Sequence, residues 1–181
     1  MTARIRTKAF CVMSVSVLER MFANALSLAE QHLRAEGRIA PMLYFSGPGG
    51  EAVLRLDLTT PEEQEQVLAK ARLMATALAA EACTWIFQGT LVTPGAPVRP
   101  AVVVLGEDRS REGAAFAEVN AEGAELRLVR FETPLAASAA DGASPLGRFI
   151  HRSESENAAA EAWRELEAMG VNRSDGRRPV H

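Results

Sequence analysis

A single stripe of apolar residues constrains this chain more than any other feature. Leu18, Met21, Phe22, Ala25, Ala29 and Leu33 recur at spacings of three and four, which puts them on one face of an α-helix. Glu19, Arg20, Glu30, Gln31 and Arg34 take the other faces. The pattern predicts a helix from about Val15 to Glu36. Gly37 ends it, because a left-handed backbone costs glycine least. A helix with one broad apolar face is stabilised mainly by packing, so this one needs a sheet or other helices to cover its stripe.

The segments that follow supply strands. Met42 to Ser46 and Ala52 to Leu58 read as a hairpin around the run Gly47-Pro48-Gly49-Gly50, a composition that favours a tight turn. In the second strand Leu54, Leu56 and Leu58 point one way, and Arg55 and Asp57 the other. That alternation suits an antiparallel sheet with one buried face. A second helix starts at Thr60. Thr60 can cap it, Pro61 fits its first position, and Glu63 completes a capping box. Val67, Leu68, Ala71, Met74, Ala75, Leu78 and Ala82 form its stripe, mostly of small residues, so it can approach a sheet closely.

Thr84 to Val92 has strand character, with Trp85, Phe87 and Leu91 on one face. The connection from Thr93 to Pro100 holds three prolines and a glycine, which marks a loop. Ala101 to Leu105 is apolar on both faces, as in a central strand. Ala114 to Asn120 and Glu125 to Glu132 form a further hairpin joined at Ala121-Glu122-Gly123. Thr133 to Pro145 is rich in Ala, Ser, Gly and Pro and reads as a flexible loop. Ser153, with Glu156 in a capping box, can start a last helix over 153–169, striped by Ala159, Ala162, Trp163, Leu166 and Met169. Gly170 stops it, and Val171 is placed for the apolar contact that often follows such a stop. The tail 172–181 is polar and reads as disordered.

Strands in runs, rather than alternating with helices, predict an α+β fold. The expected architecture is an antiparallel or mixed sheet of about six strands in the order α-β-β-α-β-β-β-β, with two long helices and a C-terminal helix. At 181 residues the chain matches one domain, residues 1–171, and a domain of this size buries about 70% of the surface its unfolded chain exposes. The formal net charge of −3 argues against broad nucleic-acid binding, which needs a positive field. No apolar run approaches the length of a membrane span. Arg4, Arg6 and Lys8 precede an apolar stretch in the manner of an export signal. Glu19, Arg20 and the continuous helical pattern argue against one, so the expected location is the cytoplasm. Abundant Ala, Arg and Glu suit a bacterial protein from a GC-rich genome.

The polar residues yield few chemical candidates. Cys11 and Cys83 each sit in apolar surroundings and read as buried thiols. With three histidines widely spaced, no metal site is expected, and no cofactor either. The glycine run lacks the Lys-Ser/Thr of a phosphate loop and leads into a strand. Glu107-Asp108 lies among Arg109, Arg111 and Glu112 and reads as a solvated loop tip, with Arg109 and Arg111 as candidates for an anion or partner contact. By strict alternation Arg127 and Arg130 lie on opposite faces of the last strand unless a bulge intervenes. Either can snorkel at a sheet edge or hold an anion. Trp163, Leu166 and Met169 on the tethered last helix are candidates for an interface, with Trp163 as anchor.

Two functional readings follow. The first is a non-catalytic module that binds a protein partner, itself or a small ligand, with a homodimer expected because the helices offer much apolar surface. The second is a small hydrolase or transferase in which His151 acts as a base beside Asp141 or Glu154.

Overall fold

A computed structural model describes residues 16–56, 60–92, 94–95, 97–120, 125–132, 149–150 and 157–172. It shows an α+β fold with a six-stranded antiparallel sheet and, among the described residues, three helices. Helix α1 spans Val17–Glu36, and Ser16 caps it. The Ser16 hydroxyl accepts from the Glu19 N–H at 3.2 Å, and the Glu19 carboxylate accepts from the Ser16 N–H at 2.9 Å. Gly37 ends the helix at φ 69°, where its N–H donates to the Leu33 carbonyl. The expected stripe is the buried face: Leu18, Met21, Phe22, Ala25, Ala29 and Leu33.

Strands β1 (Met42–Gly47) and β2 (Gly50–Arg55) make the first hairpin, with Gly47 opposite Gly50. Its glycines answer to more than a turn. A Cβ on Gly47 would stand 2.6 Å from the Ala79 carbonyl oxygen, and one on Gly49 would stand 2.8 Å from the Leu78 Cα. The hairpin tip therefore rests directly on the backbone that follows α2, and the Gly49 N–H donates to the Leu78 carbonyl at 2.9 Å. Only a residue without a side chain permits that approach.

Helix α2 (Pro61–Ala77) opens with the expected capping box of Thr60 and Glu63. It ends earlier than its stripe suggests. Ala79 turns the chain with φ 48°, and Ala82 opens β3 (Ala82–Leu91) instead of extending the helix. Strands β4 (Arg99–Asp108), β5 (Glu112–Val119) and β6 (Leu126–Glu132) then add as a meander. The sheet order is β2-β1-β3-β4-β5-β6, and all neighbours are antiparallel. β2 and β3 both pair with β1, so they run parallel to each other, and α2 carries the chain between them.

Helix α3 (Ala158–Ala168) closes the described chain. Positions 153–156, expected to start it, lie outside the described residues. Gly170 adopts φ 83°, and the Val171 N–H donates to the Leu166 carbonyl at 2.9 Å. Val171 is buried, as the stop signal implies.

Each face of the sheet carries its own core. On one face α1 covers Met42, Tyr44, Ile86, Val102, Val104 and Ala115. Gly106 lies beneath it, facing Phe22 and Leu18. On the opposite face α2 and α3 pack with Leu43, Phe45, Leu54, Cys83 and Phe149. The β4 residues alternate between the two, which explains why a central strand reads apolar on both sides. No helix among the described residues is long and apolar enough to cross a membrane.

Candidate functional site

The polar clusters singled out in the sequence are largely committed to the fold. Glu107 is not in a loop tip. It belongs to β4, on the face of Leu105 and opposite Cys83, and is only 2% exposed. Its carboxylate accepts the Ile150 N–H at 2.9 Å, which ties the chain ahead of α3 to the sheet. Burial pushes the Cys83 thiol well up from its ordinary pKa, and the nearby Glu107 charge adds to this. The loop is shorter than expected at both ends, because β4 runs through Asp108 and β5 starts at Glu112.

Asp108 begins the β4–β5 turn and organises it. One carboxylate oxygen accepts from the Ser110 N–H at 2.8 Å, the Ser110 hydroxyl at 2.8 Å and the Arg111 N–H at 2.9 Å. Burial raises its pKa, but these hydrogen bonds and the Arg111 charge outweigh that and hold it below the ordinary value. Asp108, Arg109, Ser110 and Arg111 join Val17 and Glu81 around an open cleft of about 290 Å³. Arg111 Nε already donates to Asp108 at 3.4 Å. The two arginines share the cleft with two carboxylates, Glu81 and Asp108.

Helix α3 packs within the chain, against α2. Leu166 is fully buried in the core under it, and Trp163 is partly buried against the same cluster. Met169 is exposed. His151, Asp141 and Glu154 lie outside the described residues.

β6 is arranged differently. Ala117 stands opposite Leu128 and Phe116 opposite Arg130, so Val129 has no residue across from it. This bulge resets the alternation. Arg127 and Arg130 therefore occupy positions on the same face, opposite Glu118 and Phe116, not on the opposite faces that strict alternation implies. Glu118 is engaged by Arg99, whose Nη1 donates to both carboxylate oxygens at 3.0 and 2.9 Å. Arg127 is exposed and forms no ion pair among the described residues.

β6 also ends the sheet, and no described strand pairs with its outer side. α1 seals only its beginning, where Glu30 Oε1 accepts the Leu126 N–H at 3.0 Å. Beyond that point Leu128 is 53% exposed and Val129 48%. Val92 and Val98, also exposed, flank the β3–β4 connection at the end of the sheet where β6 begins. No protein-family model, curated protein or solved structure matches this chain. The sequence reading passed over Leu128 and Val129, though a signal was there. Leu126, Leu128, Val129 and Phe131 make the last strand of a meander apolar on both faces, and an edge strand cannot bury both.

Proposed function

We propose that this chain is a non-catalytic module that associates with a second copy of itself through the β6 side of its sheet. The exposed pair Leu128 and Val129 on an edge strand carries the reading. Unpaired edges with apolar side chains are templates for another strand, and natural edges are usually blunted. A two-fold arrangement uses the same patch on both copies, the commonest solution for small proteins. Charged groups elsewhere support it. Glu107 anchors a backbone N–H and Asp108 shapes a turn, so neither is offered to a substrate. The cytoplasm suits the module, since the free, buried Cys83 fits a reducing compartment.

Light scattering on a sizing column tests this. The expected mass rises with concentration toward twice the 19.5 kDa of the chain, and Leu128→Asp stays at the single-chain mass while keeping its far-ultraviolet spectrum. A wild-type chain that remains single throughout refutes the reading. So does a Leu128→Asp variant that associates as wild type does.

A further inference from the structure

Helix α2 stops against its own sequence. Leu78-Ala79-Ala80-Glu81-Ala82 holds only strong helix formers, and Leu78 and Ala82 continue the apolar stripe of the helix. Helices α1 and α3 are each followed by a glycine at positive φ, Gly37 and Gly170, whereas α2 is stopped by Ala79 at φ 48°. The Ala79 N–H donates to the Thr76 carbonyl at 3.0 Å, and the Ala80 N–H to the Ala75 carbonyl at 2.8 Å. That bond pattern normally calls for glycine at its left-handed position. Ala79 is exposed, so no buried contact of its methyl group offsets the backbone cost.

The β1–β2 hairpin holds the stop in place. A longer α2 would use the Leu78 carbonyl to accept the Ala82 N–H, and the Glu81 N–H to donate to the Ala77 carbonyl. The hairpin takes both groups. The Gly49 N–H donates to the Leu78 carbonyl at 2.9 Å, and the Glu81 N–H donates to the Ser46 carbonyl at 2.8 Å. Neither Gly47 nor Gly49 has a positive φ, so each is needed for the close contact and not for its backbone angle. Past the stop, Ala82 stands opposite Ser46 and Asp108 and is buried in the core under α1. We propose that residues 78–82 are a helix–strand switch, held in the strand state by the hairpin tip. When the tip lifts, α2 gains a turn and Ala82 leaves the sheet. Glu81 lines the cleft beside Asp108 and Arg111, so the same step withdraws a carboxylate from it. The device does not depend on association at β6.

Nuclear magnetic resonance of the full chain tests the switch. Relaxation dispersion in the wild type should reveal a minor state at residues 46–49 and 78–82, with Cα shifts at 79–82 displaced toward helix. Gly49→Ala forces the tip off the Leu78 backbone and should make those helical shifts the major ones. Ala79→Gly removes the left-handed penalty and weakens the longer helix at the same time. It should abolish the dispersion. It should also raise the folding equilibrium constant roughly threefold, the left-handed penalty less the unfolded-state freedom that glycine adds. A minor state with coil shifts at 79–82 overturns the switch, as does a Gly49→Ala chain that keeps the wild-type shifts without exchange. If Gly49→Ala does not fold, the comparison of wild type with Ala79→Gly still decides. Dispersion that persists in Ala79→Gly, or an Ala79→Gly protein less stable than wild type, overturns the proposal.

Discussion

Gly106→Ala puts the packing of α1 on the sheet to a direct test. A Cβ at this position would stand 2.8 Å from Phe22 Cζ, 3.1 Å from Leu18 Cδ1 and 3.2 Å from Thr84 Cγ2. All three side chains are buried, so none can swing into solvent. Forcing a methyl into such a site costs about 1–3 kcal/mol. The loss of unfolded-state freedom on replacing glycine returns roughly 0.4–1 kcal/mol. The net expectation is a loss of about 1–2 kcal/mol, from these two terms together. Gly89→Ala is the internal control. It lies on the neighbouring strand facing the other way, and its Cβ would meet only Val103 Cγ2 at 3.3 Å, so its stability should stay within about 0.5 kcal/mol of wild type. Urea unfolding followed by circular dichroism gives both values, as shifts in midpoint at unchanged slope. Phe22→Leu should relieve the Gly106→Ala cost, with a coupling of about 1 kcal/mol in a double-mutant cycle. A Gly106→Ala protein as stable as wild type, or a cycle with no coupling, would refute the close approach of α1 over β4.

Three further outcomes follow from the same structure. Leu166→Ala should cost about 2–5 kcal/mol, because it opens a cavity beneath α3; a loss below about 1 kcal/mol in thermal unfolding would mean that α3 does not belong to this core. Cys83 should resist alkylation in the native state and react only on unfolding, since it is buried and its thiol is held protonated. Site-resolved mass spectrometry showing labelling at the rate of a free thiol would contradict this. Asp108 has a folded pKa below its ordinary 3.8, so between the two values the unfolded chain binds more protons and stability rises with pH. The stability gap between wild type and Asp108→Asn should therefore be complete above pH about 4 and shrink as the pH falls through the depressed value. A gap unchanged through the acid range would dismiss the Asp108 turn as its source.

Local signals were legible in the sequence because their causes are local. Thr60, Pro61 and Glu63 define a helix start through bonds within one turn, and Gly37 and Gly170 mark stops through backbone angle alone. The stripe of α1 was equally plain, since a period needs no partner to be seen. What the sequence concealed depends on contacts between distant segments. Glu107 reads as solvated beside four other charged residues, yet the alternation of Ala101, Val103 and Leu105 carries one step further and buries it against Ile150. Ala82 fits the spacing of α2, but the hairpin tip resting on Leu78 and Ala79 ends that helix first. The bulge at Val129 leaves no mark in composition. It shows only in the register against β5, and the face shared by Arg127 and Arg130 depends on it.

Hydrogen exchange measured across a concentration series speaks most directly to the claim that β6 is where two copies meet. The sheet has two edges, β2 and β6, which makes β2 a built-in reference. Peptides covering Leu126–Glu132 should become more protected as concentration rises, while those covering Gly50–Arg55 stay unchanged. Equal exchange of both edges at every concentration, or protection that grows at β2 alone, would contradict the account.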